Sequence, residues 1–134
     1  MGGSSPFSYA VVRLVPRVER GERMNVGVIV FCRPLGYLAA RTALDERRLA
    51  ALWPELDPAS VRPQLEAIER IAAGDPEAGP IARLDETARF GWLVSPSSTI
   101  IQPSAVHTGL CDDPPAQLER LFGSLVVAPG GATS

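Results

Sequence analysis

The chain has 134 residues, 46% hydrophobic and 21% charged, with a formal net charge of −2. That is the composition of one ordinary globular domain, able to bury roughly two thirds of its unfolded surface without staples. The near-neutral charge gives no global field to draw nucleic acid or an anionic membrane, and two cysteines are too few for a disulfide framework. All thirteen basic residues are arginines. A lysine-containing P-loop is therefore absent, and every cation is a planar fork suited to carboxylate or phosphate.

Residues 1–6 are small and polar, without a basic-then-apolar leader, and are expected to be disordered. The stretch Tyr9–Val15 reads as a strand over about 7–15, with Tyr9, Val11, Arg13 and Val15 on one face and Ala10, Val12 and Leu14 on the other. A charged loop, Pro16–Arg23, leads into a strand over about 25–32. That strand is apolar on both faces, with Val26, Val28 and Val30 set against Ile29 and Phe31, so it belongs in the middle of a sheet. Arg33-Pro34-Leu35-Gly36 reads as a turn into a third strand over about 37–43, giving an antiparallel meander.

Asp45 is placed to cap a short helix over about 46–53, ended by Pro54. Ser60 is placed to cap the next, with Pro63 in its first turn, a Glu66–Arg70 pair on its surface and Gly74 at its end. A Gly- and Pro-rich loop follows over 75–84, then a short helix from Asp85 to about Leu93. Thr99–Gln102 reads as a short strand and Ser104–Asp113 as a polar loop. Asp113 before Pro114 opens a last helix buried through Leu118, Leu121, Phe122 and Leu125. The expected architecture is α+β and two-layered: a meander of three to four strands with helices on one face, in a single domain over 7–128, followed by a disordered tail over 129–134. The second apolar face of the central strand then needs cover, from the C-terminal helix or from another chain, a homodimer included.

Three polar groupings stand out. The loop holding Arg17, Glu19, Arg20, Glu22, Arg23 and Asn25 has the chemistry of an anion cradle: arginine forks bind, and Glu22 orients a fork or acts as a base. Gly21 and Gly27 would let backbone approach a ligand. The bland alternative is a solvated loop whose exposed pairs contribute roughly 0–1 kcal/mol each. Arg13 within a strand and Asn25 at the start of one favour the first reading. Ser98, Thr99 and Gln102 supply hydrogen-bonding groups that could equally close their own turn. His107, the single histidine, lies near Cys111 and Asp112; no spacing there is that of a metal site or a Cys–His nucleophile pair, but it is a candidate to join a polar site shared with the charged loop, where it or Glu22 would move a proton. No dinucleotide fingerprint, Gly-x-Ser-x-Gly elbow or paired CxxC is present, so the chain calls for no cofactor and no metal. No apolar run approaches the roughly 18 residues of a membrane span, and a cytoplasmic location is expected.

The block Tyr9–Cys32, with Gly74–Arg83, Ser98–Ser104 and Val106–Pro114, resembles the bacterial domain of unknown function 3037 over about residues 8–126. The resemblance implies no established activity. It suggests a partner, since members are often encoded beside a kinase similar to the HipA type. Members carry an arginine where this chain has Ser97, so a basic contact of the family would be missing here. The expectation is a small binding or regulatory protein acting with a protein partner through its Arg/Glu loop. The alternative is a small enzyme or metabolite-binding protein for an anionic or phosphorylated ligand.

Overall fold

The computed structural model describes residues 4–16, 22–96 and 100–127. The expectations for the chain's first three residues and for its tail lie outside them. The molecule is α+β, an antiparallel sheet with four helices packed on it. The meander is present as β1 (Ser5–Leu14), β2 (Met24–Cys32) and β3 (Tyr37–Thr42). Two short strands, β4 (Ile101–Pro103) and β5 (His107–Cys111), share the other edge of β1, in the order β3-β2-β1-β4 with β5 beside the first half of β1. β1 starts two residues earlier than expected, taking in Ser5 and Pro6.

The sheet has two covered faces. On the first, Val12, Leu14, Val26, Ile29 and Phe31 pack against Leu49 of α1 (Glu46–Leu52), Val61, Leu65 and Ile71 of α2 (Pro58–Ala73), and Phe90 and Leu93 of α3 (Glu86–Leu93). Fully burying a side chain of this size contributes about 1.5–3 kcal/mol. On the second face, Phe7, Val28, Val30 and Cys32 pack against Leu118 and Phe122 of α4 (Pro114–Phe122) and Val126 of the π-helical segment that follows it. The cover required by the doubly apolar central strand comes from the C-terminal helix.

Val26 and Val28 were expected on one face, yet they sit on opposite faces. The cause is a register shift: Val12 pairs with Gly27 but Arg13 pairs with Asn25, so β2 carries one extra residue there. The bulge turns Asn25 onto the second face, between the first-face residues Met24 and Val26.

Local chemistry explains the helix ends. Asp45, Asp57, Asp85 and Asp113 each accept a backbone N–H of the first turn. Asp57 caps α2 in place of Ser60, because Pro58 behind it fits the first helical position. Pro63 consequently lies inside the helix. Gly74 takes the left-handed conformation, φ +74°, that ends it. The segment 107–111, expected as polar loop, is a strand. Its alternation is masked in the sequence because the apolar Leu110 is on the exposed row while His107 and Gly109 occupy the other.

Candidate functional site

The charged loop leaves β1 after Pro16 and returns before Met24, so the sheet end where Arg13 lies is its base. Arg13 pairs with Asn25 on β2 and with Gln102 on β4. Paired residues of adjacent strands share a face. Gln102, Arg13 and Asn25 therefore form one polar row across three strands, on the second face. Asn25 Nδ2 donates to Leu125 O at 2.9 Å, which ties the row to the C-terminal segment. Among the described residues, Arg13 Nε is buried without a hydrogen-bond partner. Burial, with the nearby positive charge of Arg23, pushes the Arg13 guanidinium below its ordinary value. It stays cationic, but its charge is less well compensated than in water.

Glu22 belongs to the opposite layer. Its Oε1 accepts the indole N–H of the fully buried Trp53 at 3.3 Å. The carboxylate therefore satisfies a buried donor on the helical side, while Arg23 influences Arg13. Gly27, read as a place where a ligand could approach, is needed for another reason. A Cβ there would stand 2.9 Å from Arg41 O of the neighbouring strand.

His107 is elsewhere. It pairs with Tyr9, and the two rings stack at 5.1 Å. Tyr9 lies four residues up β1 from Arg13, or roughly 13 Å. His107 is therefore a surface side chain on an aromatic ladder, apart from the polar row. Arg17, Glu19, Arg20, Ser98 and Thr99 lie outside the described residues, as does Ser97. Val15 N donates to Ile100 O at 2.7 Å, so the described residues beside these two segments meet at the sheet end where Arg13 lies.

Sequence reasoning missed Ser104. It is the one buried polar residue among those described. Its N–H donates to Val11 O at 2.8 Å, and its Oγ accepts from Val11 N at 2.9 Å, bridging the break between β4 and β5. A serine one residue after a strand-ending proline was the only sign of it.

Two hollows bordered by described residues flank the sheet. One of about 250 Å³ has Asn25, Asp45, Arg48 and Val126 in its walls and adjoins the polar row. The other, about 410 Å³, lies between α2, α3 and β4, with Ile68, Ile71, Trp92 and Ile101 among its lining residues and no charged side chain among the described residues of its walls. No group of three or more His, Cys, Asp or Glu among the described residues could hold a metal ion.

Residues 9–126 match the model of the family described as "Protein of unknown function (DUF3037)". The chain belongs to the DUF3037 family. Neither the curated proteins nor the solved structures contain a match. The DUF3037 match spans the meander, all four helices and the polar row, so the row lies within the family's domain. Among the described residues, no helix is long and apolar enough to cross a membrane.

Proposed function

We propose that this DUF3037 protein is a binding or regulatory module that engages a protein partner through the sheet end built on Arg13, Arg23 and Asn25. The partner suggested by the family resemblance is a kinase of the HipA type. The observation that carries the reading is Arg13 itself, a partly desolvated cation in a row of amides, with an Nε unpartnered among the described residues and a second arginine close by. A carboxylate from a partner would relieve both the repulsion and the unmet donor, and a hydrogen bond to a charged group is worth about 1.5–3 kcal/mol.

Co-expression with a kinase of the HipA type and affinity purification tests this. The expected result is a stable complex that weakens at least about tenfold with Arg23→Glu, whose circular dichroism should match that of the parent. Failure to co-purify, or full affinity in the variant, would overturn it.

The same two arginines favour one second reading, a small anionic ligand such as a phosphate ester. A thermal-shift panel of nucleotides and phosphorylated metabolites separates the two. Under the second reading some ligand raises Tm, and Arg13→Gln abolishes the rise.

A further inference from the structure

We infer that β5 is a self-association edge, and that two copies of this chain pair β5 to β5 in antiparallel fashion about a two-fold axis at Thr108. Three features of the strand lead to this.

The first is which backbone groups face outward. Val11 exchanges its N–H and C=O with Ser104 on the β4/β5 side, whereas Pro6 O accepts from Cys32 Sγ on the β2 side. Hydrogen-bonding direction alternates along a strand. The odd-numbered residues Ser5, Phe7 and Tyr9 thus bond to Cys111, Gly109 and His107. The N–H and C=O groups of Val106, Thr108 and Leu110 then point away from β1, where no described strand pairs with them.

The second is the absence of any device that blunts an edge. From Ala105 to Cys111 there is no charged residue and no proline. The opposite edge strand, β3, carries Arg41, which lies over the Phe122 ring and pairs with Glu119. Leu110 is 68% exposed and Val106 43% exposed, on the row that the first-face helices leave open.

The third is self-complementarity. Pairing about Thr108 sets Val106 opposite Leu110 of the second copy, twice, and Thr108 opposite its own mate. All of these are residues whose backbone groups point outward, so the register makes bonded pairs throughout. It also sets His107 opposite Gly109, which has no side chain and over which Phe7 already lies. Threonine–threonine and apolar pairs are favourable across strands. Sliding the register by two residues, to centre on Gly109, would set Val106 against Asp112 and lose the apolar match. The partner that fits this edge is therefore a second copy of the chain.

Sedimentation velocity on the full chain from micromolar to millimolar concentration tests the pairing, with a monomer–dimer equilibrium expected. Leu110→Lys should weaken self-association at least tenfold. Thr108→Cys fixes the register. Bonded antiparallel mates lie about 5.5 Å apart at Cα, inside the roughly 4.4–6.8 Å window of a disulfide. Mild oxidation by diamide, which takes up the two thiol hydrogens, should therefore cross-link the variant. Leu110→Cys should not cross-link, because its two-fold mates lie about 13 Å apart along the strands. A monomer at every concentration, or equal cross-linking of the two variants, would overturn the inference. So would a chain that stays monomeric alone and pairs its β5 edge only with an extended peptide from another protein.

Discussion

Ser104 stands where the edge of β1 changes partner, and its hydroxyl takes over the work of a ladder carbonyl. Replacing it with alanine strips Val11 N–H of its acceptor inside the fold. Leaving a buried donor unmet costs about 1–3 kcal/mol, so Ser104→Ala should lower the unfolding free energy by that much, read as a lower urea midpoint with an unchanged slope. The thiols show the opposite economy. Cys32 and Cys111 are both buried and free, on strands flanking β1. Two strand spacings of about 4.8 Å exceed the Cα separation that a disulfide spans, so they remain thiols. Burial first, and then the neighbouring Cys32, push the Cys111 thiol up. A raised folded-state value stabilises fully below the unfolded thiol's range and is lost as pH rises through the folded one. Stability should therefore decline above about pH 9, and less so in Cys111→Ala, as measured by urea unfolding at stepped pH. Residue by residue, the chemistry that was legible was that of caps and turns, because Asp and Gly act on backbone within a few positions. Ser104 was not legible, since its partner lies far away in the chain.

At the scale of elements, apolar runs revealed the strands and aspartates revealed the helix starts. The errors have physical causes. β5 was hidden because residue type does not follow burial along it: its exposed row carries Leu110, while the other row holds His107 and Gly109 before Cys111. The doubly apolar β2 concealed its bulge for a different reason: with both faces greasy, a one-residue slip leaves no trace in the pattern. Glu66 does favour the charge of Arg70, but the side-chain hydrogen bond of Arg70 goes elsewhere. Arg70 Nε donates to Asp75 Oδ2 at 2.8 Å just past the end of α2. That hydrogen bond, followed by the Glu77 backbone N–H, holds the Asp75 carboxyl below its ordinary value. A depressed carboxylate stabilises above its unfolded range and loses that contribution as pH falls through the folded value. In an NMR titration Asp75 should therefore protonate later in acid than a free aspartate, and Arg70→Gln should move its midpoint back up.

For the molecule as a whole, the meander was readable while its double cover was left open between α4 and another chain. Hydrophobic patterning shows that a face must be buried but not what buries it. The structure assigns the task to α4, with Phe122 buried against the Val28–Val30 side of the sheet. Phe122→Ala should cost about 3–5 kcal/mol in equilibrium unfolding, well beyond the roughly 0.5 kcal/mol of a typical single surface change. The candidate site was half legible for a related reason. Arg13 and Asn25 stand out in strands, but the separation of Glu22 from Arg23 follows from the layer to which each belongs.

The pairing of Ser5 with Cys111 sets a timetable. β1 receives its outer neighbours only after the roughly one hundred residues between it and β5 have been made. Contacts so distant in the chain are slow to close, since a loop on the order of a hundred residues must be ordered first. In the interval β1 offers a bare flank to anything extended nearby. The nascent protein is thus most exposed to mispairing at the strand on which its finished architecture most depends.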